Sequence, residues 1–177
     1  DIWNHAWGPW WWMDSLSKGQ WPWATTLLQY PDGGTLWFID PVMAIIGAPF
    51  AWISPALAYN ISLWIIIAFA SWSARRFAVA LGAAPSASWI ASVTVVCSAW
   101  ILSELSNGIT EAVNIGPAAL AMAWTEDACR KGRYKLWIKA GIGVGLCAIC
   151  SPYLGLGVGV VIGVRTLVQI RSTWRWA

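Results

Sequence analysis

Charge is what this chain has least of. Only 11% of its 177 residues are Asp, Glu, Lys or Arg, where a soluble domain carries about a quarter. With 58% of the residues hydrophobic, the apolar surface exceeds what one domain of this length can hide, and lipid or other chains must cover the surplus. Histidine occurs once, at His5, which excludes a multi-histidine zinc centre. A nucleophile elbow is missing. "GIGVG" and "GLGVG" lack the strand–turn–helix context of a nucleotide loop, and nothing in the chain suggests a nucleic-acid fold, so nucleic acid is not an expected partner. No basic segment leads into an apolar one as in a signal peptide, and residue 1 is Asp rather than Met. The chain therefore reads as a window on a longer membrane protein. Cysteine is sparse: "CAIC" at 147–150 has redox-motif spacing but lies mid-helix without a βαβ pattern, so these thiols are expected to pack between helices.

What is there in excess is tryptophan, 17 residues of it. Its ring favours the headgroup layer of a bilayer, where the indole is buried and the N–H stays wet. Long apolar runs between charges give about five short spans, near 57–74, 86–103, 111–126, 136–151 and 153–170. The last two follow from Pro152, which cannot continue a helix and disfavours helix at Ser151. A reversal there puts the Arg75/Arg76 pair, the cluster from Arg130 to Lys135, and Arg165, Arg171 and Arg175 on one side, which the positive-inside rule makes cytoplasmic. Six of the eight carboxylates (Asp1, Asp14, Asp32, Asp40, Glu104 and Glu111) then share the opposite side with a single cation, Lys18. The expected architecture is all-α: a polytopic membrane helix bundle over 57–177, behind an extracytoplasmic loop, 1–56, with short membrane-parallel helices. Gly141 and Gly145, and Gly155, Gly159 and Gly163, recur at intervals of four and suggest helix–helix association through small-xxx-small faces.

The candidate site residues lie on the acidic side. Asp1 and His5 are i and i+4 on one helical face, a spacing that suits acid–base pairing or a divalent metal, and also a frayed terminus. "YPDGGTLWFIDP" combines Asp32 and Asp40 with Tyr30, Trp37 and Phe38, whose rings can stack on a sugar face. Asp32 equally suits turn chemistry, and Asp40 before Pro41 a helix N-cap. Glu104, Asn107, Glu111 and Asn114 are spaced by three, four and three, one polar face of a helix at the outer leaflet. Such residues are costly there unless they line a cavity.

Three readings follow: an enzyme acting on a hydroxyl-rich substrate, a transporter or channel subunit with Glu104, Glu111 and Asn114 along its path, and a structural subunit packed through glycine faces. The order of features resembles the first extracytoplasmic loop and following helices of bacterial GT-C superfamily glycosyltransferases. A carboxylate opens the outside loop as "D-x-x-x-H-x-W", with "YPDGG…DP" following. A span, an Arg pair, an outside Glu and "SPY" at a helix turn come after it. The span that would precede Asp1, the later helices and a C-terminal domain are not in this chain. The resemblance implies an integral inner-membrane protein that transfers a sugar from a polyprenyl-phosphate-linked donor, with Asp1 as catalytic base. It further implies His5, Tyr30, Asp32, Trp37, Asp40, Glu104, Asn107 and Glu111 as substrate contacts, and Asp1 and Asp32 as ligands for Mg or Mn. The lipid bilayer and the lipid-linked donor are the implied partners.

The topology is open to direct measurement. On a cysteine-free background, a membrane-impermeant thiol reagent applied from outside is expected to label Asp32→Cys and to leave Gly132→Cys unlabelled. The reverse pattern places the acids in the cytoplasm and removes the basis of the site.

Overall fold

The computed structural model describes residues 2–27, 31–35 and 40–174, with the side chains of residues 2–4, 35 and 171–174 excepted. It is 78% helical. The Trp-rich start forms α1 (Ile2–Ser17), which runs through Pro9 rather than beginning near it. A two-residue antiparallel ladder follows, β1 (Ala24–Thr25) with β2 (Gly34–Thr35), and Pro31 and Asp32 lie in the turn between them. Asp40 and Pro41 then start α2 (Pro41–Ala51). The Asp40 carboxylate accepts from the Val42 and Met43 N–H groups, at 2.9 and 3.1 Å, and proline fills the first position, where no N–H is needed. The short link before Pro55 folds α2 back along the first half of α3 (Pro55–Ala80). Gly47 makes this possible. A Cβ there would come within 2.7 Å of Ser62 Oγ and 2.8 Å of the Pro9 ring, so α1, α2 and α3 meet at a point only hydrogen can occupy. Trp11 and Ala44 centre this packing, and Trp7 stacks on Trp11 at 5.2 Å.

The rest of the chain is helix against helix. α4 (Ser88–Val96) and α5 (Ala99–Asn107) form one apolar stretch broken at Cys97 and Ser98, where the Ser98 hydroxyl recaps the second piece. Gly108, in the left-handed conformation at φ 74°, ends α5. One turn, α6 (Thr110–Val113), leads into α7 (Gly116–Lys131), then α8 (Tyr134–Cys150) and α9 (Pro152–Trp174). The alanine-rich α7 lies centrally between α3 and α8. Ser71 and Ser92 bond across α3 and α4 at 2.5 Å. Ile66, Ile101 and Val113 form a second apolar cluster where α3, α5 and α6 meet.

Among the described residues, three stretches are long and apolar enough to cross a membrane: α3, Ser88–Asn107 and Pro152–Ile170. The other two expected spans are shorter; α7 and α8 have 16 and 17 residues, about 24–26 Å of helix. Only 6% of the apolar window of α9 is buried, and Leu156, Val160, Val164 and Leu167 stand open on its surface. A face of that kind is at rest against lipid tails and costly in water.

The chain reverses at Ser151, whose backbone is extended (φ −152°) ahead of Pro152. A Cβ at Gly155 would sit 2.4 Å from Ala148 Cα, and one at Gly159 would lie 3.9 Å from Val144, an antiparallel register. The glycines that carry the closest contacts are not all those of the four-residue pattern. Gly141, Gly145 and Gly163 face open space, whereas Gly143 meets Ala121 of α7 and Gly116 meets Phe69 of α3.

Gly155→Val is therefore expected to cost about 1–3 kcal/mol through overpacking against backbone that cannot move aside. Gly145→Ala is expected to be neutral. Thermal unfolding of both variants in detergent checks the pair; equal melting temperatures would mean that α8 and α9 do not pack through Gly155.

Candidate functional site

A band of buried polar side chains lies where α1 and α2 meet α6 and the α8–α9 reversal. Asp40, 2% exposed, is its hub. One carboxylate oxygen caps α2 and the other accepts from Asn114 Nδ2 at 3.0 Å. Asn114 Nδ2 also reaches Cys150 Sγ, at 3.3 Å. Beside this, His5 is brought in by the first turn of α1. Its Nδ1 lies 2.7 Å from the Thr110 hydroxyl, and its Nε2 3.2 Å from Glu111 Oε2. The Glu111 contact has ion-pair distance but not good hydrogen-bond alignment, and Oε2 is otherwise a buried oxygen with no hydrogen-bond partner. The carboxylate favours the tautomer with its proton on Nε2, since the other would turn a lone pair toward a negative oxygen. Nδ1 then accepts from Thr110.

Hydroxyl, imidazole and carboxylate in line form the constellation used for acid–base chemistry. The hydroxyl here is sealed, since Thr110 is 1% exposed. The Glu111 side chain is 34% exposed and is the member that can meet a ligand. Burial pulls the His5 imidazole below its usual pKa, and the facing Glu111 charge only partly restores it. Burial likewise lifts Asp40 above the usual carboxylate range. The bonds from Asn114, Met43 and Val42 oppose that rise, and the Glu111 charge adds to it. Beneath Asn114 lies an apolar cavity of about 190 Å³, walled by Ile66, Phe69, Pro117 and Leu146.

His5, Asp40 and Glu111, expected as site residues, are thus brought together. Thr110 and Cys150 join them unforeseen. Thr110 carried one signal, its place two residues after "NG", a helix stop. The polar face expected from Glu104 to Asn114 is not continuous, because left-handed Gly108 ends α5 before α6 begins. Glu104 is half-buried on α5 and Asn107 exposed at its end, while Glu111 and Asn114 belong to the buried band. Asp32 stands elsewhere. It is exposed on a hollow of about 640 Å³ with Gln20, Thr25, Thr26 and the indoles of Trp11 and Trp21. Trp11 is held by its own N–H, bonded to the Pro22 carbonyl at 2.8 Å. Asp1, Tyr30, Trp37 and Phe38 lie outside the described residues.

Among the described residues no three His, Cys, Asp or Glu side chains gather as a metal site. Both His5 nitrogens are engaged, and among the described residues Asp32 has no acidic neighbour on its hollow. A divalent ion on Asp1 and Asp32 would need ligands beyond the described set. No protein-family model matches this chain, and no curated protein or solved structure matches it either.

The buried imidazole makes the fold acid-sensitive. His5 binds its proton less readily folded than unfolded, so its contribution is complete above the unfolded value of 6.5 and is lost as pH falls from there toward the lowered folded value. Asp40 has the opposite sign, because its folded pKa is raised above 3.8 and acidification relieves a buried charge. Melting temperature in detergent is therefore expected to fall below about pH 6.5. His5→Gln is expected to flatten that slope; an unchanged slope would assign the acid sensitivity to another group.

Proposed function

We propose that this chain is part of a GT-C-type integral membrane glycosyltransferase. In this reading it moves a sugar from a polyprenyl-phosphate-linked donor to a hydroxyl acceptor on the extracytoplasmic side of the inner membrane. The observation that supports the reading best is the Asp32 hollow. The exposed Trp21 indole beside amide, hydroxyl and carboxylate groups suits a sugar, whose faces are apolar and whose rim is a ring of hydroxyls. The exposed apolar helices supply the second requirement, a bilayer from which a lipid-linked donor arrives laterally.

The chemistry needs one carboxylate free to take a proton. That base removes the acceptor hydroxyl's proton as its oxygen bonds to the anomeric carbon. The bond from that carbon to the phosphate oxygen breaks, and polyprenyl phosphate leaves with the electron pair. By the resemblance, Asp1 is this base. Asp32 binds acceptor hydroxyls. Glu111, held by His5, is a second partly exposed carboxylate on the same side. Asp40 is buried with both oxygens already accepting hydrogen bonds inside the protein, and acts on position alone. A transporter needs a continuous polar path, and the interruption at Gly108 gives less support to that alternative.

Transfer is tested with the full-length protein in nanodiscs, using polyprenyl-phosphate-linked sugars and a hydroxyl acceptor. Asp1→Asn is expected to lower the rate by roughly 10²–10⁴-fold, the usual contribution of a general base. Asp32→Asn is expected to raise the acceptor KM. Asp14→Asn is expected to change little, since Asp14 pairs with Lys18 at 2.8 Å on the surface of α1. Full activity in Asp1→Asn, or no transfer by the wild type from any such donor, overturns the proposal.

A further inference from the structure

The opposite end of the bundle has a site of its own. A cleft of about 480 Å³ opens between α3, the α3–α4 link and α7. Four cations line it: Arg75, Arg76, Arg130 and Lys131. They face one carboxylate, Asp127, which is 5% exposed. Asp127 is already divided between Arg76 and Lys131, the latter at 2.8 Å. Glu126, next in sequence, is bound through both oxygens to Arg165 and is not available. Arg130 donates to the Leu81 carbonyl at 3.0 Å, an acceptor without formal charge. Arg75 lies over the Trp89 ring, 4.5 Å from its centroid, and its buried Nε has no hydrogen-bond partner.

Three positive charges in one cleft thus stay uncompensated, and a buried guanidinium N–H lacks an acceptor. Both are unfavourable as they stand. A phosphate relieves the charge excess, because it offers several charged acceptor oxygens to planar guanidinium donors. The remaining walls are apolar: Trp72, Val79, Ala80 and Pro85. Beside the cleft, Trp89, Ile90 and Val93 are exposed in a row on α4. A ligand that is anionic at its head and apolar beyond it fits this surface.

We propose that the cleft binds the phosphodiester headgroup of an anionic phospholipid, its acyl chains lying along Trp72 and α4. The proposal rests on the membrane reading of the helices and is independent of sugar transfer. A basic pocket between helices at the cytoplasmic surface is a recurrent way to hold such lipids.

The test is lipid binding to the full chain in detergent, read by native mass spectrometry and by thermal shift, with phosphatidylglycerol against phosphatidylcholine. Phosphatidylglycerol is expected to bind in preference and to raise the melting temperature. Arg75→Gln/Arg130→Gln is expected to weaken that binding roughly tenfold or more, from two lost cation contacts. Arg133→Gln/Lys135→Gln removes equal charge from the neighbouring α7–α8 link and the first turn of α8 and is expected to weaken it less than about twofold, because neither residue lines the cleft. Arg130 is exposed, so Arg130→Gln alone serves if the double variant fails to fold, and is expected to give a smaller loss of the same kind. Equal loss in both double variants, or no preference over phosphatidylcholine, overturns the site. If millimolar inorganic phosphate reproduces the whole thermal shift, the ligand is a soluble phosphate and the lipid assignment falls.

Discussion

Asp40 is the constraint on which the N-terminal third depends. A single carboxylate starts α2 by accepting two of its free N–H groups, and ties that start to Asn114 at the entrance to α7. Burial of the charge costs more than these bonds return, as the raised pKa indicates. The residue is therefore poor value as a stabiliser of the whole and effective as a specifier of geometry. With Asp40 replaced by an apolar group, Asn114 and the α2 terminus keep their polar groups and lose the acceptor, and an unmet buried donor is costlier than an unmade bond. With Asp40 in place, its bonds to the α2 terminus and to Asn114 favour the observed packing of α2. That packing sets Gly47 opposite Pro9 and Ser62, and so determines where α1 carries His5.

The two ends of the bundle solve opposite electrostatic problems. At the Asp40 end, carboxylates outnumber cations, and the fold responds with neutral donors: an amide, a hydroxyl and an imidazole kept uncharged by its surroundings. At the other end cations outnumber carboxylates, and both acids there are spent on pairing: Asp127 with Arg76 and Lys131, Glu126 with Arg165. Between them the helices meet through Gly116, Gly143, Gly155 and the Ser71–Ser92 pair, which allow close approach without charge. Since lipid tails remove any hydrophobic drive between helices, such close approach is what makes association specific.

Local chemistry was legible from residues and long-range placement was not. The α2 cap and the reversal at Pro152 follow from proline and a neighbouring side chain, and both are stereochemical rules acting within a few residues. The break at Gly108 was legible too, in "NG", but the three-four-three spacing of polar residues read across it. Spacing describes a face only while the helix continues. The pairing of His5 with Thr110 joins residues 105 positions apart, and no periodicity carries that information. The glycines show the same limit: intervals of four identify a stripe, yet which stripe is buried depends on the partner helix, so Gly143 is in contact while Gly141 and Gly145 are not.

The division between Asp32 and Asp40 bears most on chemistry. The two acids are eight positions apart in one connection, and in sequence they look equivalent. The fold separates them by environment. Asp40 is buried in a seam with both oxygens hydrogen-bonded; Asp32 is in an open hollow among tryptophans and threonines. A ligand exchanges with water, so it reaches the group that water reaches. Asp32 and the partly exposed Glu111 side chain are thus the described carboxylates of this end best placed to meet a ligand. The distance between them is governed by α1, which carries His5 near one end and Trp11, a wall of the Asp32 hollow, about 9 Å further along its axis. A helix pinned at two points, by His5 on Thr110 and by the Trp11 indole on Pro22, is a fixed spacer rather than a mobile arm.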